Sequence, residues 1–392
     1  MTTQINDAGT ARRKPTRLAG YLPGHNPGLP PVNFPARPLV GILEGAGIGP
    51  QVIHATLRVL RAVEQAMDLR FEVRNGGLIG EKAVATSGKW LPEDTEAFCA
   101  DIFQAGGAIL SGPGGGRYVY DLRRRFDLFC KFVPVQPVPE LARAGRLAPQ
   151  FLRNVDLLIV RDNTGGVYQG QWGDRATQQG RLAEHAFSYS EAEVRRLIEV
   201  AARATADRKG RMHIIVKDGG VPAISALWRD VGSAVARRHG IAVTFMNVDL
   251  AAYELIQNPA HFDVIATPNL FGDVLADVTG VLVASRGVTF SGNFDAHGHG
   301  VYQTNHGCAH DLANTDTANP AGQILSLAML LRESFGLDAA AALVEQSLAG
   351  VWRAGWRTAD VAETGCRILG TQAMADKVAE QVLRSAEISQ PA

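Results

Sequence analysis

The sequence predicts an α/β fold of mostly parallel sheets in two domains, rather than a standard Rossmann fold. Three observations carry this. Short apolar runs alternate with helically periodic segments along most of the chain, the pattern of parallel strands covered by helices. At 392 residues the chain suits about two cores. The first glycine turn reads Gly45-Ala46-Gly47-Ile48-Gly49, GxGxG instead of GxGxxG, with Pro50 at the helix entrance, so the dinucleotide fingerprint is absent.

Composition excludes several roles. Acidic and basic residues balance at 39 each, which gives no electrostatic case for binding nucleic acid or a membrane surface. No apolar run approaches the roughly 18 residues of a membrane span. The first residues also lack the apolar core of a secretory signal, so the expected compartment is the cytoplasm. Cys99, Cys130, Cys308 and Cys366 are scattered with no CxxC pair, which predicts reduced thiols and no zinc knuckle.

In chain order, residues 1–38 combine Arg12, Arg13, Lys14 and Arg17 with Pro27, Pro30, Pro31, Pro35 and Pro38. Such a stretch cannot bury enough apolar surface to offset its ordering entropy, and a flexible or surface-draped extension is expected. Asp7 and the prolines argue against an amphipathic targeting helix. Leu39 to Leu43 is a strand, and Val52 through Val63 a helix after the glycine turn, whose glycines permit close backbone approach. A second strand from Gly107 to Ser111 runs into Gly112-Pro113-Gly114-Gly115-Gly116, another loop able to lie against a ligand.

The run ending Cys130-Lys131-Phe132-Val133-Pro134-Val135 alternates as a strand, placing Lys131 and Val133 on one side. Val155 to Arg161 is a strand that delivers Arg161 to the turn Asp162-Asn163-Thr164-Gly165-Gly166, where its planar fork suits a carboxylate. Ser190 and Glu193 form a capping box for a helix to Ala206. Met212 to Val216 is a strand ending at Lys217, Ala223 to Arg238 a helix, and Val243 to Val248 a strand ending at Asp249. Ligands should gather at the carboxyl ends of these strands.

After the apolar run Phe262 to Thr267 comes Asn269-Leu270-Phe271-Gly272-Asp273-Val274-Leu275-Ala276-Asp277. A helix beginning at Gly272 sets Asp273 and Asp277 on one face, one turn apart, near its positive end. Two carboxylates at this spacing suit Mg²⁺ or Mn²⁺ with positions left for substrate oxygens.

These features form an ordered set. Leu122-Arg123 with Asp127 to Phe129, Thr164 to Tyr168, Asp249, Asn269 to Asp277, and His306-Gly307-Cys308-Ala309-His310-Asp311-Leu312-Ala313 followed by Ala318-Asn319-Pro320 resemble the isocitrate and 3-isopropylmalate dehydrogenases. The resemblance runs from about Leu39 to Val382. It implies an isopropylmalate dehydrogenase-like fold with a larger cofactor-side domain of residues 39–128 plus 284–392 and a smaller central domain of residues 129–283 carrying the interface of a homodimer. It also implies Asp273 and Asp277 on Mg²⁺ or Mn²⁺ with Asp249 lent by the partner, Arg123 and Arg161 on the carboxylates of a 2-hydroxy diacid, and Tyr168 as proton donor. His306, Gly307, Cys308, Ala309, Asp311, Leu312 and Asn319 would hold the adenosine end of the cofactor. Asp311-Leu312 points to NAD, since a carboxylate bonds ribose hydroxyls and repels a 2′-phosphate. Tyr118, Val119 and Tyr120 fall where the substrate's variable group is expected and suggest an apolar or aromatic substituent with a hydroxyl partner.

The sequence departs from the family at chemical positions. Val133 replaces a clamp arginine and Lys131 an asparagine, so either Lys131 supplies the missing charge or the substrate lacks one carboxylate. The catalytic lysine falls on Lys217 or Asp218, depending on the direction of counting. Ala46 replaces an aspartate of the first turn, and Gln303 a glutamate before the His-Gly loop. Two functions follow: an NAD- and metal-dependent, decarboxylating dehydrogenase of a malate-like acid, or a catalytically silent partner subunit that keeps nucleotide binding.

Overall fold

A computed structural model describes residues 17–24 and 37–389. The chain begins with β1 (Leu39–Leu43), α1 (Gly49–Met67), β2 (Glu72–Asn75), α2 (Gly80–Ser87), α3 (Glu93–Gln104), β3 (Ala108–Ser111) and α4 (Tyr118–Arg125). Next come β4 (Cys130–Val135), β5 (Leu157–Asp162) and a hairpin of β6 (Gln171–Thr177) and β7 (Gly180–Ala186). The middle of the chain supplies α5 (Glu191–Asp207), β8 (Arg211–Val216), α6 (Pro222–His239), β9 (Ala242–Asn247), α7 (Val248–Gln257), β10 (Val264–Thr267) and α8 (Asn269–Val278). It closes with β11 (Phe290–Phe294), β12 (Gly300–Thr304), α9 (Ala321–Glu333), α10 (Asp338–Arg353) and α11 (Thr371–Ser389), two very short strands aside.

One sheet of ten strands holds the molecule, in the order β2-β1-β3-β12-β11-β4-β5-β10-β8-β9. It is parallel from β2 to β12 and again from β5 to β9, and antiparallel where β11 and β4 join the two halves. Strands covered on both faces need unbroken apolar runs, and β1, β3, β5 and β10 are buried at every residue. Helix α5 starts at the expected capping box: the Ser190 hydroxyl accepts from the Glu193 N–H and the Glu193 carboxylate from the Ser190 N–H. No helix among the described residues is long and apolar enough to cross a membrane.

Three local expectations need correction. Helix α8 starts at Asn269, three residues before Gly272, so Asp273 lies in its second turn and Asp277 near its end. The positive helix terminus therefore does not serve Asp277. Asp249 lies in the first turn of α7, because β9 stops at Asn247. Part of the extension is seated: Leu18–Tyr21 forms a 3₁₀ turn with Ala19 and Leu22 fully buried, while most of residues 1–38 lie outside the described residues.

That turn ties distant elements together. The Ala19 N–H donates to Glu333 of α9 at 3.0 Å, Arg203 of α5 donates to the Tyr21 carbonyl at 2.8 Å, and Gly24 to the Ala296 carbonyl at 2.8 Å. Burial raises the Glu333 carboxyl from 4.5 to about 7 against the lowering effects of the Ala19 N–H, Arg332 and Arg17. The folded chain thus binds this proton more tightly than the unfolded chain, and stability falls as pH rises from about 4.5 through 7, by at most roughly 3 kcal/mol. Glu333→Gln should flatten Tm against pH across this window. An unchanged slope would show that Glu333 ionises normally in the fold.

Candidate active site

Arg161, the penultimate residue of β5, is buried to 1% exposure, which a guanidinium tolerates only with partners. Its Nη2 and Nε donate to Asn269 Oδ1 at 2.7 and 3.2 Å, and its Nη1 to Asp273. Asn269 is aimed in turn by its Nδ2–H to the Gly165 carbonyl at 3.0 Å, and its backbone N–H donates to the Tyr189 hydroxyl at 2.9 Å. The absence of a side chain at Gly272 permits this packing: a Cβ there would lie 2.6 Å from Thr267 Cγ2 and 2.8 Å from Arg161 Cγ. Tyr168 donates to the other Asp273 oxygen at 2.8 Å.

The predicted clamp residues gather here. In the antiparallel β4–β5 pair Lys131 stands directly opposite Arg161, and Arg123 of α4 is buried close enough to influence both. Burial alone would raise Asp273, but Arg161, Lys131, Tyr168 and Arg123 hold it below the usual carboxylate range. Asp277, one turn on, is pushed up by burial and by Asp273 despite a 2.9 Å ion pair with Arg286. A divalent cation would relieve that repulsion, so the pair fits a hard metal ion. Burial and the Asp273 charge push the Tyr168 phenol up.

Of the three residues expected at the variable group, only Tyr120 faces this site, with its ring 4.9 Å from that of Tyr168. Tyr118 turns into the core, where its hydroxyl bonds Ser111 and the Gly112 carbonyl, and Val119 packs on the same apolar cluster. Arg117, unremarked in the sequence, lies 5.3 Å from the Tyr120 ring and donates to the Tyr168 carbonyl at 3.1 Å.

Lys217 and Asp249 form a separate pair at 2.8 Å, with side chains 41% and 67% exposed. Asp218 is bound instead by Arg229 of α6, at 2.6 and 2.9 Å. Among the described residues no three His, Cys, Asp or Glu side chains are placed to hold a metal ion, so Asp249 does not join Asp273 and Asp277 within one chain. The exposed apolar residues Leu250 and Tyr253 lie on the Asp249 helix, and Val274 lies between the two carboxylates of α8.

The His-Gly loop packs on the first glycine turn. The Ile48 N–H donates to the Cys308 carbonyl at 2.9 Å, and Gly47, at φ +57°, leaves no room for a Cβ there. His306 Nδ1 donates to the Gly307 carbonyl at 2.9 Å, and its Nε2 is buried with no partner. Burial lowers this imidazole, so Nε2 is an acceptor awaiting a donor. Asp311 and Leu312 are exposed, Ala309 takes a left-handed φ of 42°, and Asn319 donates to Asp360 at 3.1 Å while accepting from the Ala321 N–H. Burial raises the Cys308 thiol to about 11, which leaves it a packing group. His299 pairs with Asp295 and His310 with Glu81, away from any metal grouping.

Asn269, Tyr189 and Arg286 complete the array without a signal in their own neighbourhoods. Their partners lie 108, 80 and 9 residues away, and only Asn269 sits within a recognisable motif.

A sequence model described as isocitrate/isopropylmalate dehydrogenase matches residues 39–378. The 3-isopropylmalate dehydrogenase of Priestia megaterium is 35% identical over 364 residues, 89% of this chain and 97% of its own. That of Hahella chejuensis is 37% identical over 86% of this chain and 97% of its own. Among solved structures, the isocitrate dehydrogenase of Methylococcus capsulatus superposes with a TM-score of 0.77 at 26% identity, covering 88% of this chain and 99% of that one.

Proposed function

Because the chain belongs to the isocitrate/isopropylmalate dehydrogenase family, we propose that it oxidises a malate-like 2-hydroxy acid with NAD and Mg²⁺ or Mn²⁺, with loss of the β-carboxylate as CO₂. The observation that carries this is the Arg161–Asp273–Tyr168 array, which joins a carboxylate clamp, a cation ligand and a proton donor at the carboxyl ends of β5 and β10. A silent subunit has no physical need to bury that many charges.

Asp273 and Asp277 would hold the cation with Asp249 from a second copy, and the His306–Leu312 loop with Asn319 would hold NAD. When bound, the cation would draw electron density from the acid's oxygens and the nicotinamide would accept hydride from C2. Arg161 and Arg123 orient the substrate's carboxylates. Tyr168, kept protonated by burial and by Asp273, gives a proton to the carbon that loses CO₂. Lys217 is the lysine that takes the hydroxyl proton. Its pairing with Asp249 supports this assignment, while Arg229 engages Asp218. The exposed Asp311 carboxylate supports NAD over NADP.

A homodimer with shared sites is supported by the apolar residues flanking Asp249 and Asp273, and by β6 and β7. Every residue of that hairpin except Thr177 is exposed, and a bare two-stranded hairpin gains stability when covered. The two parallel halves of the sheet support a larger domain of residues 39–128 plus 284–392 and a smaller one of 129–283.

NADH formation with a panel of 3-substituted malates tests the reading. At least one should be turned over with Mn²⁺ and none after chelation with EDTA. In parallel, Mn²⁺ and NAD should each raise Tm. No turnover and no shift with Mn²⁺, with NAD alone still raising Tm, would leave the silent-subunit reading.

A further inference from the structure

The site holds more buried positive charge than its own acids balance. Strand β4 runs through the middle of the sheet, and its neighbours Cys130 and Phe132 are fully buried in the core. Lys131 between them is only 3% exposed. On its face of the sheet it stands between Arg161 of β5 and Asn293 of β11, so one direct neighbour is a cation and the other is neutral. Asn293 is itself occupied, with Oδ1 accepting from Asn163 at 2.9 Å and Nδ2 donating to the Val301 carbonyl at 3.0 Å. No hydrogen bond or ion pair is formed by the Lys131 ammonium among the described residues.

Arg123 repeats the pattern. It is 4% exposed, its Nε is buried without an acceptor, and its guanidinium lies 5.8 Å from the centre of the Tyr120 ring. The two acids in range are committed elsewhere, Asp273 to Arg161 and Tyr168 and Asp277 to Arg286. Two buried cations are therefore left without an ion-pair partner of their own, sharing only the Asp273 charge that Arg161 already engages. A divalent cation at Asp273 and Asp277 would add to this excess. Buried unpaired charge is costly, and an anionic group of the substrate is what would offset it. Consistently, burial and then the charges of Arg161 and Arg123 drive the lysine well below its ordinary value in the ligand-free protein.

We infer that Lys131 takes the place of the arginine absent at Val133 and, together with Arg123, holds the second carboxylate of the diacid, which makes Lys131 the specificity-determining residue for that group. This rests on the dehydrogenase reading and settles what Val133 leaves open: the charge lost with an arginine on this strand returns two residues earlier, on the same face. The ammonium is a point charge on a flexible stem, whereas a guanidinium is a rigid fork. The pocket therefore demands a negative charge but tolerates variation in its position.

The test compares wild type with Lys131→Met and Lys131→Arg on malate, on turned-over 3-substituted malates and on the corresponding β-monoamides. Wild type should prefer diacid to monoamide. Lys131→Met should lower kcat/KM for the diacid by about 30-fold or more, mainly through KM, with little effect on the monoamide. Lys131→Arg should recover part of the preference. Lys131→Met should also raise the Tm of the ligand-free protein, since it replaces an unpaired buried charge by an apolar chain of similar size. Equal losses on diacid and monoamide, or a lower Tm, would overturn the assignment. Calorimetric titration of malate into metal-free, NAD-free protein keeps the two readings apart. Weaker binding by Lys131→Met supports the inference even if no substrate is turned over, and equal or absent binding by both proteins refutes it.

Discussion

Asp273→Asn is expected to lower NADH formation by about three orders of magnitude and to abolish the Mn²⁺-dependent rise in Tm. The substitution keeps the shape of the side chain and removes its charge. Arg161 and Tyr168 both point at that carboxylate, so its loss leaves a buried guanidinium without its anion beside Lys131 and Arg123, which also lose the nearest negative charge. The variant should be less stable for that reason alone. A second consequence concerns Tyr168. Its phenol is held up by burial and then by the Asp273 charge, so the variant should ionise it at lower pH, which ultraviolet titration reads directly. Activity within tenfold of wild type would remove Asp273 from the chemistry.

Lys217→Ala should cost about 10² to 10⁴ in kcat with little change in KM, the range for a positioned acid or base. Asp218→Ala should cost far less. The two residues are adjacent in sequence yet engaged by different elements, Lys217 by Asp249 of α7 and Asp218 by Arg229 of α6. A lysine beside a cation ligand is placed for proton transfer at a metal-held hydroxyl, whereas an aspartate bridged to a helix arginine is placed to fix the loop. If Asp218→Ala were the more damaging change, the assignment would reverse.

Much of the fold was legible in the residues. Apolar runs located the strands, the Ser190–Glu193 pair located a helix start, and alternation along β4 put Lys131 where it meets Arg161. What was hidden depends on tertiary context. The start of α8 moved to Asn269 because that amide is needed inside the helix to fix Arg161, a demand made by a residue 108 positions away. Tyr118 and Tyr120 look alike in sequence, yet on α4 two residues apart they point in different directions, one to the Gly112 carbonyl and one to Tyr168. The seat of Leu18–Tyr21 depends on Glu333, a single buried carboxyl far along the chain. Asp249, expected as a cation ligand lent by a partner chain, stands apart from Asp273 and Asp277 among the described residues of a single chain.

That separation gives the most direct measurement of the central proposal, an active site completed by a second copy of the chain. Asp273→Asn and Lys217→Ala protein, each nearly inactive, are unfolded together, refolded and assayed with Mn²⁺ and NAD. In a mixed dimer one site receives Asp273 from one chain and Lys217 with Asp249 from the other, so random pairing should restore about a quarter of wild-type activity. Recovery no greater than that of either variant refolded alone would contradict a shared site, and with it the metal centre proposed here.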